Sequence, residues 1–280
     1  MTVQLALDKA AQAPDTQDEA GTRQIADDVA YRRLKIVNVV FVGEPDGDWV
    51  LVDTGLPGSK SDILACAEER FGKAARPRAI LLTHGHFDHI GTVEDLAAEW
   101  DVDVYAHPAE HPFLDGSQSY PPADTAAGGG LMTLLAPLFP RKPIDLGTRL
   151  KALPADGSVP FLPGWRWILT AGHTPGHVSL WREGDRTLIA GDAFVTTGQE
   201  SLYEAAMQTP EMHGPPRYFT PDWTSAEASV RVLAELEPEL AVTGHGRAVK
   251  GPAMRLALHD LADQFREIAV PEHSKPAMQR

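Results

Sequence analysis

Four side chains with metal-binding chemistry lie within six positions in the segment THGHFDHIG: His84, His86, Asp88 and His89. The segment directly follows RAILLT, a short apolar run typical of a buried β-strand. A loop at a strand end can turn alternate imidazoles to one side, and divalent metals such as zinc bind imidazole nitrogen and carboxylate oxygen. Because neighbours such as Asp88 and His89 point in different directions, the spacing predicts two ions that share one site.

Each ion needs further ligands from distant parts of the chain, and three glycine-rich turns offer them. The turns GHTPGH, AGDAF and TGHGR each follow a predicted strand and supply His173, Asp192 and His245. Their shared setting places all three at strand ends, as in the first segment. The seven side chains are therefore the candidate metal ligands.

The elements that must position these side chains alternate between strand and helix. Strands are predicted over residues 34–42, 49–52, 78–83, 102–106, 165–170, 178–183, 187–192 and 239–244. Helices are predicted over residues 59–71, 92–100, 225–236 and 252–265, from apolar positions one helical turn apart. Asp95 is expected to complete a capping box with Thr92, and Cys66 is expected to be a buried core thiol. The pattern predicts an α/β fold.

The motifs VDTG, THGHFDHIG, GHTPGH, GDA and GHG stand in this order, and the set resembles that of the metallo-β-lactamase superfamily. The resemblance covers about residues 34–265. It implies a four-layer αββα sandwich with the metal ions at one edge between the two sheets. It also implies a metal-dependent hydrolase.

The resemblance implies two ligand sets joined by a bridging carboxylate: His84, His86 and His173; Asp88, His89 and His245; and, between them, Asp192. His177 is left outside both sets. Asp53, in VDTG, is implied to orient a ligand histidine through a hydrogen bond. Asp88 is implied to accept the proton of the attacking water as well as to bind metal. The cofactors expected are two divalent ions, zinc first, with iron or manganese as alternatives.

The expected reaction is attack on an ester, lactone or thioester carbonyl by a hydroxide bound to the dinuclear centre. A lactonase fits the ligand set, but Val195 stands where acyl-homoserine lactonases carry a tyrosine, three residues after the bridging aspartate. Glyoxalase II fits the metals, but its basic and tyrosine glutathione-binding side chains are not located in the C-terminal part. An iron-dependent redox enzyme acting on sulfur or oxygen species, a phosphodiesterase and a β-lactamase-like hydrolase also stay open.

The net charge of −14 disfavours nucleic acid as a partner, because the chain repels a phosphate backbone at long range. No apolar run reaches the roughly 18 residues of a membrane span, so no membrane partner is expected. The first twenty residues lack the pattern of a signal peptide, which predicts a cytoplasmic protein. The partner expected is a small-molecule substrate, and a homodimer stays open as the assembly.

The predicted domain organisation has an N-terminal arm over residues 1–30, a single metallo-β-lactamase-type domain over 31–270 and a tail over 271–280. An insertion at about 112–150 contains the apolar segment LMTLLAPLF, of helical length, and is expected near the mouth of the site. The proline-rich stretch 210–223 is expected to be irregular and to form a lid or rim. Phe87 and Tyr218 are candidates for the wall of a substrate cavity.

Overall fold

The computed structural model describes residues 5–7, 9–13, 16–127, 143–198 and 211–275. Its strands are β1 (Leu5–Ala6), β2 (Thr22–Ala26), β3 (Val29–Leu34), β4 (Val37–Gly43), β5 (Trp49–Val52), β6 (Ala79–Leu81), β7 (Val104–Ala106), β8 (Leu150–Ala152), β9 (Trp165–Leu169), β10 (Val178–Arg182), β11 (Thr187–Gly191), β12 (Glu211–Met212), β13 (Leu240–Thr243) and β14 (Val249–Lys250). Its α-helices are α1 (Lys60–Phe71), α2 (Val93–Trp100), α3 (His111–Leu114), α4 (Trp223–Glu235), α5 (Gly251–Asp263) and α6 (Phe265–Ile268).

These strands form two large sheets and one small one. The first sheet has the order β2-β3-β4-β5-β6-β7-β8, antiparallel as far as β5 and parallel from β5 to β8. The second has the order β14-β13-β11-β10-β9, in which β11 and β13 are parallel. Strands β1 and β12 pair antiparallel as a separate ribbon. The parallel pairs matter for function, because their carboxyl ends meet at one edge of each sheet.

The layer between the two large sheets is apolar. Val40, Val52 and Leu81 of the first sheet share one buried cluster with Leu180 and Ile189 of the second. Successive strand residues point to opposite faces of a sheet. Alternate side chains of an apolar strand such as β4 therefore pack into this layer, and the others pack into the layer between the sheet and its helices. Each fully buried side chain of this size stabilises the fold by about 1.5–3 kcal/mol. The packing fixes the two sheets, and thus their carboxyl edges, against each other.

Helices cover the two outer faces. On the first sheet, α1 and α2 contribute Ile63, Cys66 and Leu96 to a buried cluster. On the second, α4 and α5 contribute Val230 and Leu258. The predicted four-layer αββα sandwich is therefore confirmed, and so is the burial of the Cys66 thiol.

The first residues of the sheet lie earlier than the sequence predicts. Residues 22–30, predicted as part of an arm, form β2 and the start of β3 at the edge of the first sheet. Thr22 and Arg23 of β2 are buried although they are polar, so the sequence of this strand does not show an apolar run. Lys35, with φ of 61°, reverses the chain between β3 and β4, so the strand predicted over 34–42 begins only at Val37.

The capping box predicted for α2 is wrong. The Thr92 side chain makes no capping hydrogen bond, and its hydroxyl donates instead to the Thr54 carbonyl at 2.7 Å. This bond ties the start of α2 to the loop after β5. The hydroxyl is thus used between two loops of the same sheet edge rather than within its own helix.

The predicted insertion and loop are partly regular. Within the insertion, α3 and β8 lie in the described residues, whereas LMTLLAPLF lies outside them. In the stretch 210–223, predicted to be irregular, Glu211–Met212 form β12 by pairing with β1, and Arg217–Phe219 form a 3-10 helix. In the tail, Glu272–Ser274 form a further 3-10 helix. No helix in the described ranges is long and apolar enough to cross a membrane.

Candidate metal centre

The seven candidate ligands converge at the carboxyl edges of the two sheets. The segment with His84, His86, Asp88 and His89 follows β6, and Asp53 follows the neighbouring strand β5. On the second sheet, Asp192 follows β11 and His245 follows β13, while His173 lies in the turn between β9 and β10. All seven are buried. The sandwich thus brings together residues that are up to about 160 positions apart in the chain.

Three histidines form the first group of potential ligand atoms. Nitrogens of His84, His86 and His173 lie within 4.8 Å of one another. His86 Nδ1 and His173 Nε2 are 2.9 Å apart, and the His84 ring centroid lies 4.7 Å from that of His86 and 4.8 Å from that of His173. The three rings cross nearly at right angles, so their ring nitrogens face a common space.

Asp88, His89 and His245 form the second group, again with ligand atoms within 4.8 Å. Asp88 Oδ2 lies 3.4 Å from His245 Nε2 and 4.0 Å from His89 Nε2. The Asp192 carboxylate lies between the two groups. Its Oδ2 is 3.1 Å from His245 Nε2 and 3.5 Å from the Nε2 atoms of both His89 and His173.

Hydrogen bonds at the far side of three imidazoles decide which nitrogen faces the site. Nδ1 of His245 donates to the Ile36 carbonyl at 2.6 Å, and Nδ1 of His89 donates to Asp53 Oδ2 at 2.8 Å. Nδ1 of His173 lies 3.1 Å from the Thr220 hydroxyl, which itself donates to the Pro216 carbonyl and so accepts from the histidine. A proton on Nδ1 leaves the Nε2 lone pair free for a metal.

Asp53 holds its position through three donors. The Thr83 N–H and hydroxyl donate to it at 2.8 and 2.7 Å, and His89 Nδ1 is the third. The backbone at Asp53 has φ of 61°, a left-handed conformation that turns the carboxylate from the end of β5 towards the segment after β6. Asp53 therefore contacts the far side of the His89 ring and is not itself a member of either candidate ligand group.

His177 occupies a different position from His173, four residues before it. Its Nε2 accepts from the Asp192 N–H at 2.8 Å, and its Nδ1 lies 2.8 Å from the Thr170 hydroxyl. Both nitrogens are thus engaged with the protein. His177 supports the Asp192 backbone and lies outside both candidate ligand groups.

The donor set fits a pair of divalent cations. Within the described part of the chain, His84 Nε2, His89 Nε2 and Asp192 Oδ1 are buried polar atoms without a hydrogen-bond partner. Buried polar atoms are nearly always satisfied, and a bound cation would satisfy all three. Nitrogen and oxygen donors of this kind suit zinc, iron or manganese.

The pKa values of the histidines in the two groups are shifted in opposite directions. Burial lowers the pKa of His86 to about 3 and holds those of His84 and His173 well below the usual value. Burial also opposes the charged form of His89, but the carboxylates of Asp192 and Asp53 outweigh it and raise the pKa. The first group is thus neutral imidazole, the form that binds metal, and the second group lies in a field of negative charge that attracts cations.

Comparison with known proteins decides the family. Residues 32–245 match the profile of the metallo-beta-lactamase superfamily. The chain belongs to this superfamily. Probable metallo-hydrolase YflN of Bacillus subtilis (strain 168) is 48% identical over 237 residues, which cover 84% of this chain and 90% of the relative. Probable metallo-hydrolase YybB of the same strain is 31% identical over 206 residues, covering 73% of this chain and 79% of the relative.

More distant relatives carry other names. A hydroxyacylglutathione hydrolase of Acidiphilium cryptum (strain JF-5) is 27% identical over 220 residues, covering 78% of this chain and 70% of the relative. A beta-lactamase domain protein from Burkholderia ambifaria shares the fold, with a TM-score of 0.63 at 21% identity and coverage of 92% and 81% of the two chains. The chain is thus a metallo-hydrolase-superfamily enzyme with histidine and aspartate clusters suited to a dinuclear centre.

Sequence reasoning missed the residues that hold the candidate ligands in place. Asn38 is buried in β4, and its side-chain amide donates to the carbonyls of Thr243 and Gly246 at 2.8 Å each. Its backbone N–H donates to the Gly244 carbonyl at 2.7 Å. These bonds clamp the turn that carries His245 onto the first sheet. The only signal in the sequence was one amide within the β-branched run LKIVNVVFV.

A close approach of backbone to ligand explains one glycine of the GHG motif. A Cβ on Gly244 would lie 2.0 Å from Asp192 Oδ1 and 2.7 Å from the His89 ring. Only a residue without a side chain leaves room there for the carboxylate between the two groups. Gly244 thus allows the turn after β13 to approach Asp192 closely, and the next residue of the motif is His245.

A cavity of about 640 Å³ opens beside His86 and His173. Its walls are mostly aromatic and proline side chains, and the rings of Tyr120 and Phe219 lie 4.6 and 4.9 Å from the His86 ring. Of the two predicted wall residues, Tyr218 lines this cavity and Phe87 lines an adjoining one. Pro121 and Tyr120, from the predicted insertion, and Thr220, from the stretch 210–223, lie in the same walls.

Proposed function

We propose that this chain is a dinuclear metal-dependent hydrolase that cleaves an ester, lactone or thioester. The observation that carries the proposal is the convergence of two buried ligand groups with a carboxylate between them, in which three buried atoms, His84 Nε2, His89 Nε2 and Asp192 Oδ1, lack a hydrogen-bond partner within the described residues. The ligands assigned are His84, His86 and His173 for one ion, Asp88, His89 and His245 for the other, and Asp192 for both. Two divalent ions held there would supply Lewis acidity and lower the pKa of water enough for attack at neutral pH.

The protein groups around the ions have separable tasks. Asp53 keeps the proton of His89 on Nδ1, which leaves Nε2 for metal. Asp88 lies at the surface of a small cavity with Asp192 and His245, and its side chain is 11% exposed, the most accessible of the three. Its carboxylate can accept a proton from water and return it to the leaving group.

The cavity walls favour an uncharged, apolar acyl group. The described residues that line the large cavity include no lysine or arginine, whereas Asp124 and Asp222 supply carboxylates. A glutathione thioester carries carboxylates that would need cationic partners, so these walls disfavour it. Phe113 and Phe219 offer instead the surface that an aliphatic or aromatic acyl chain needs.

One observation keeps lactones in the substrate set. Val195 stands at the position where acyl-homoserine lactonases carry a tyrosine, yet Tyr218 lines the small cavity that also contains Asp88, Asp192 and His245. A phenol hydroxyl can donate a hydrogen bond to a developing oxyanion. We propose that Tyr218 supplies this group from a different place in the chain.

The test combines metal content with a substrate screen. Protein purified without chelator is expected to hold two ions per chain and to hydrolyse neutral aryl esters, acyl thioesters or lactones faster than S-lactoylglutathione. His86→Ala should lose an ion and at least about 100-fold in kcat/KM, the upper end of the loss seen when a ligand's supporting partner is removed. His259→Ala, an exposed histidine 41% accessible, is the matched control. A fully metallated and active His86→Ala enzyme would contradict the assignment, and one iron per chain without turnover would favour redox chemistry.

A further inference from the structure

Glu110 is a buried carboxylate that the proposed reaction leaves without a role. It ends the 3-10 helix Pro108–Glu110 after β7, and its relative exposure is 0%. Burying a charged or protonated carboxyl costs free energy unless hydrogen bonds compensate it. Burial raises the pKa of Glu110, and hydrogen bonds from Tyr120 and two backbone N–H groups oppose this shift.

The partners of Glu110 belong to the two loops that carry the first ligand group. Its Oε2 accepts from the Gly85 N–H at 3.0 Å, and its Oε1 accepts from the Gly176 N–H at 2.7 Å. Gly85 lies between His84 and His86 in sequence, and Gly176 follows His173 by three residues. One carboxylate therefore bridges a loop of the first sheet and a loop of the second.

The glycines at both contacts provide the space for this bridge. A Cβ on Gly176 would lie 2.8 Å from Glu110 Cγ, and a Cβ on Gly85 would lie 2.7 Å from the Tyr120 hydroxyl oxygen. Both contacts are closer than a real Cβ tolerates. Gly85 of the THGH motif and Gly176 of the PGH motif thus leave the space that the Glu110 and Tyr120 side chains occupy.

Tyr120 extends the bridge to the cavity wall. Its hydroxyl donates to Glu110 Oε2, and it also lies 3.0 Å from the Gly85 nitrogen. Its ring stacks on Phe113 with centroids 3.8 Å apart and lies 4.6 Å from the His86 ring. Tyr120 also lines the large cavity.

We propose that Glu110 is a positioning residue that sets the separation of the two histidine loops, and with it the affinity of the ion held by His84, His86 and His173. Through Tyr120 it also fixes the wall against which a substrate binds. The proposal rests on the proposed function only for the ligand assignment. Glutamine cannot replace Glu110, because its NH₂ group would face an N–H donor at one of the two loops.

The experiment compares Glu110→Gln with wild type and with Glu183→Gln, an exposed glutamate in the turn between β10 and β11. Zinc retention is measured against a graded chelator, together with the visible spectrum of the cobalt-substituted protein. Glu110→Gln should lose one of two ions at about 10–100-fold lower chelator concentration than wild type. The cobalt spectrum should change at that ion, whereas Glu183→Gln should match wild type in both readouts.

A second variant separates the wall from the metal. Tyr120→Phe removes only the hydroxyl, so it should bind both ions nearly as wild type does but show a raised KM at similar kcat. If Glu110→Gln does not fold, Glu110→Asp takes its place, since it keeps the charge but is too short to reach both N–H groups. Wild-type zinc retention and an unchanged cobalt spectrum in the folded Glu110 variant would overturn the proposal. A wild-type protein with two ions and no hydrolysis would instead refute the proposed function alone.

Discussion

Replacing Asp53 by asparagine should weaken the ion held by Asp88, His89 and His245 without disturbing the fold. Asparagine suits the position, because it tolerates the left-handed backbone at φ of 61° better than alanine does. Its oxygen can still accept from the Thr83 N–H, which donates to Asp53 Oδ1 at 2.8 Å, while its NH₂ group takes the place of Oδ2 and can donate to the Thr83 hydroxyl, now 2.7 Å from that oxygen. Its NH₂ group then faces His89 Nδ1, which lies 2.8 Å from the native carboxylate.

The magnitude follows from the tautomer of His89. A donor opposite Nδ1 favours the proton on Nε2, the nitrogen that faces Asp88 and Asp192 at 4.0 and 3.5 Å. A protonated Nε2 cannot bind metal. In the variant, the His89 proton must therefore move back to Nδ1 before Nε2 can bind the ion, or the ion loses His89 as a ligand. Loss of such a supporting partner costs about 10–100-fold in affinity, or roughly 1.4–2.7 kcal/mol.

The assay is a zinc competition titration with a chromogenic chelator, with steady-state hydrolysis measured in parallel. Asp53→Asn should show one weakened ion of two and a fall in kcat of similar size. Asp46→Asn, in the exposed turn between β4 and β5, controls for the loss of one negative charge. If Asp53→Asn bound both ions as tightly as wild type, the hydrogen bond to His89 would not govern ligation and the reasoning would fail.

Three further outcomes are expected. Asn38→Leu leaves the carbonyls of Thr243 and Gly246 without their donor, so the free energy of unfolding in urea should fall by about 2–4 kcal/mol; a loss below about 1 kcal/mol would contradict this. Burial lowers the pKa of His177 from 6.5 to about 4, because the folded protein holds the imidazole in its neutral form. Protonation of His177 therefore takes nothing from the free energy of unfolding above pH 6.5. As the pH falls from 6.5 to 4, about 3 kcal/mol should be lost, and metal-free His177→Gln protein should show a flatter dependence of unfolding on pH. Phe219→Ala should raise KM for apolar acyl substrates about 10-fold or more with little change in kcat, whereas the exposed Phe161→Ala should not.

The sequence predicted the layers and the convergence of the candidate ligands because both depend on local patterns. Strands β6, β11 and β13 are continuous apolar runs, and each ends in a glycine-containing turn with a histidine or aspartate. When such strands run parallel in packed sheets, their ends meet without any further information. The order of the motifs was therefore enough to predict one shared site.

The supporting residues could not be predicted, because their role exists only after the sheets pack. Asn38 and Glu110 are single polar residues in apolar or irregular surroundings, and their partners lie 205–208 and 25–66 positions away. Strand β2 was missed for a related reason, since Thr22 and Arg23 are buried polar side chains. Patterns of period 2 or 3.6 carry no signal for such contacts.

The candidate ligands and the polar residues that support them both lie at the interface between the two sheets. The candidate ligands come from both sheets, so any sliding of one sheet over the other would change distances such as the 2.9 Å between His86 Nδ1 and His173 Nε2. Apolar packing between the sheets is non-directional and does not by itself fix distances at that scale. Directed hydrogen bonds cross the interface at both ends of the site, from Asn38 to the His245 turn and from Glu110 to the His173 turn. The geometry of the centre therefore depends on a few polar residues that bind neither metal nor substrate.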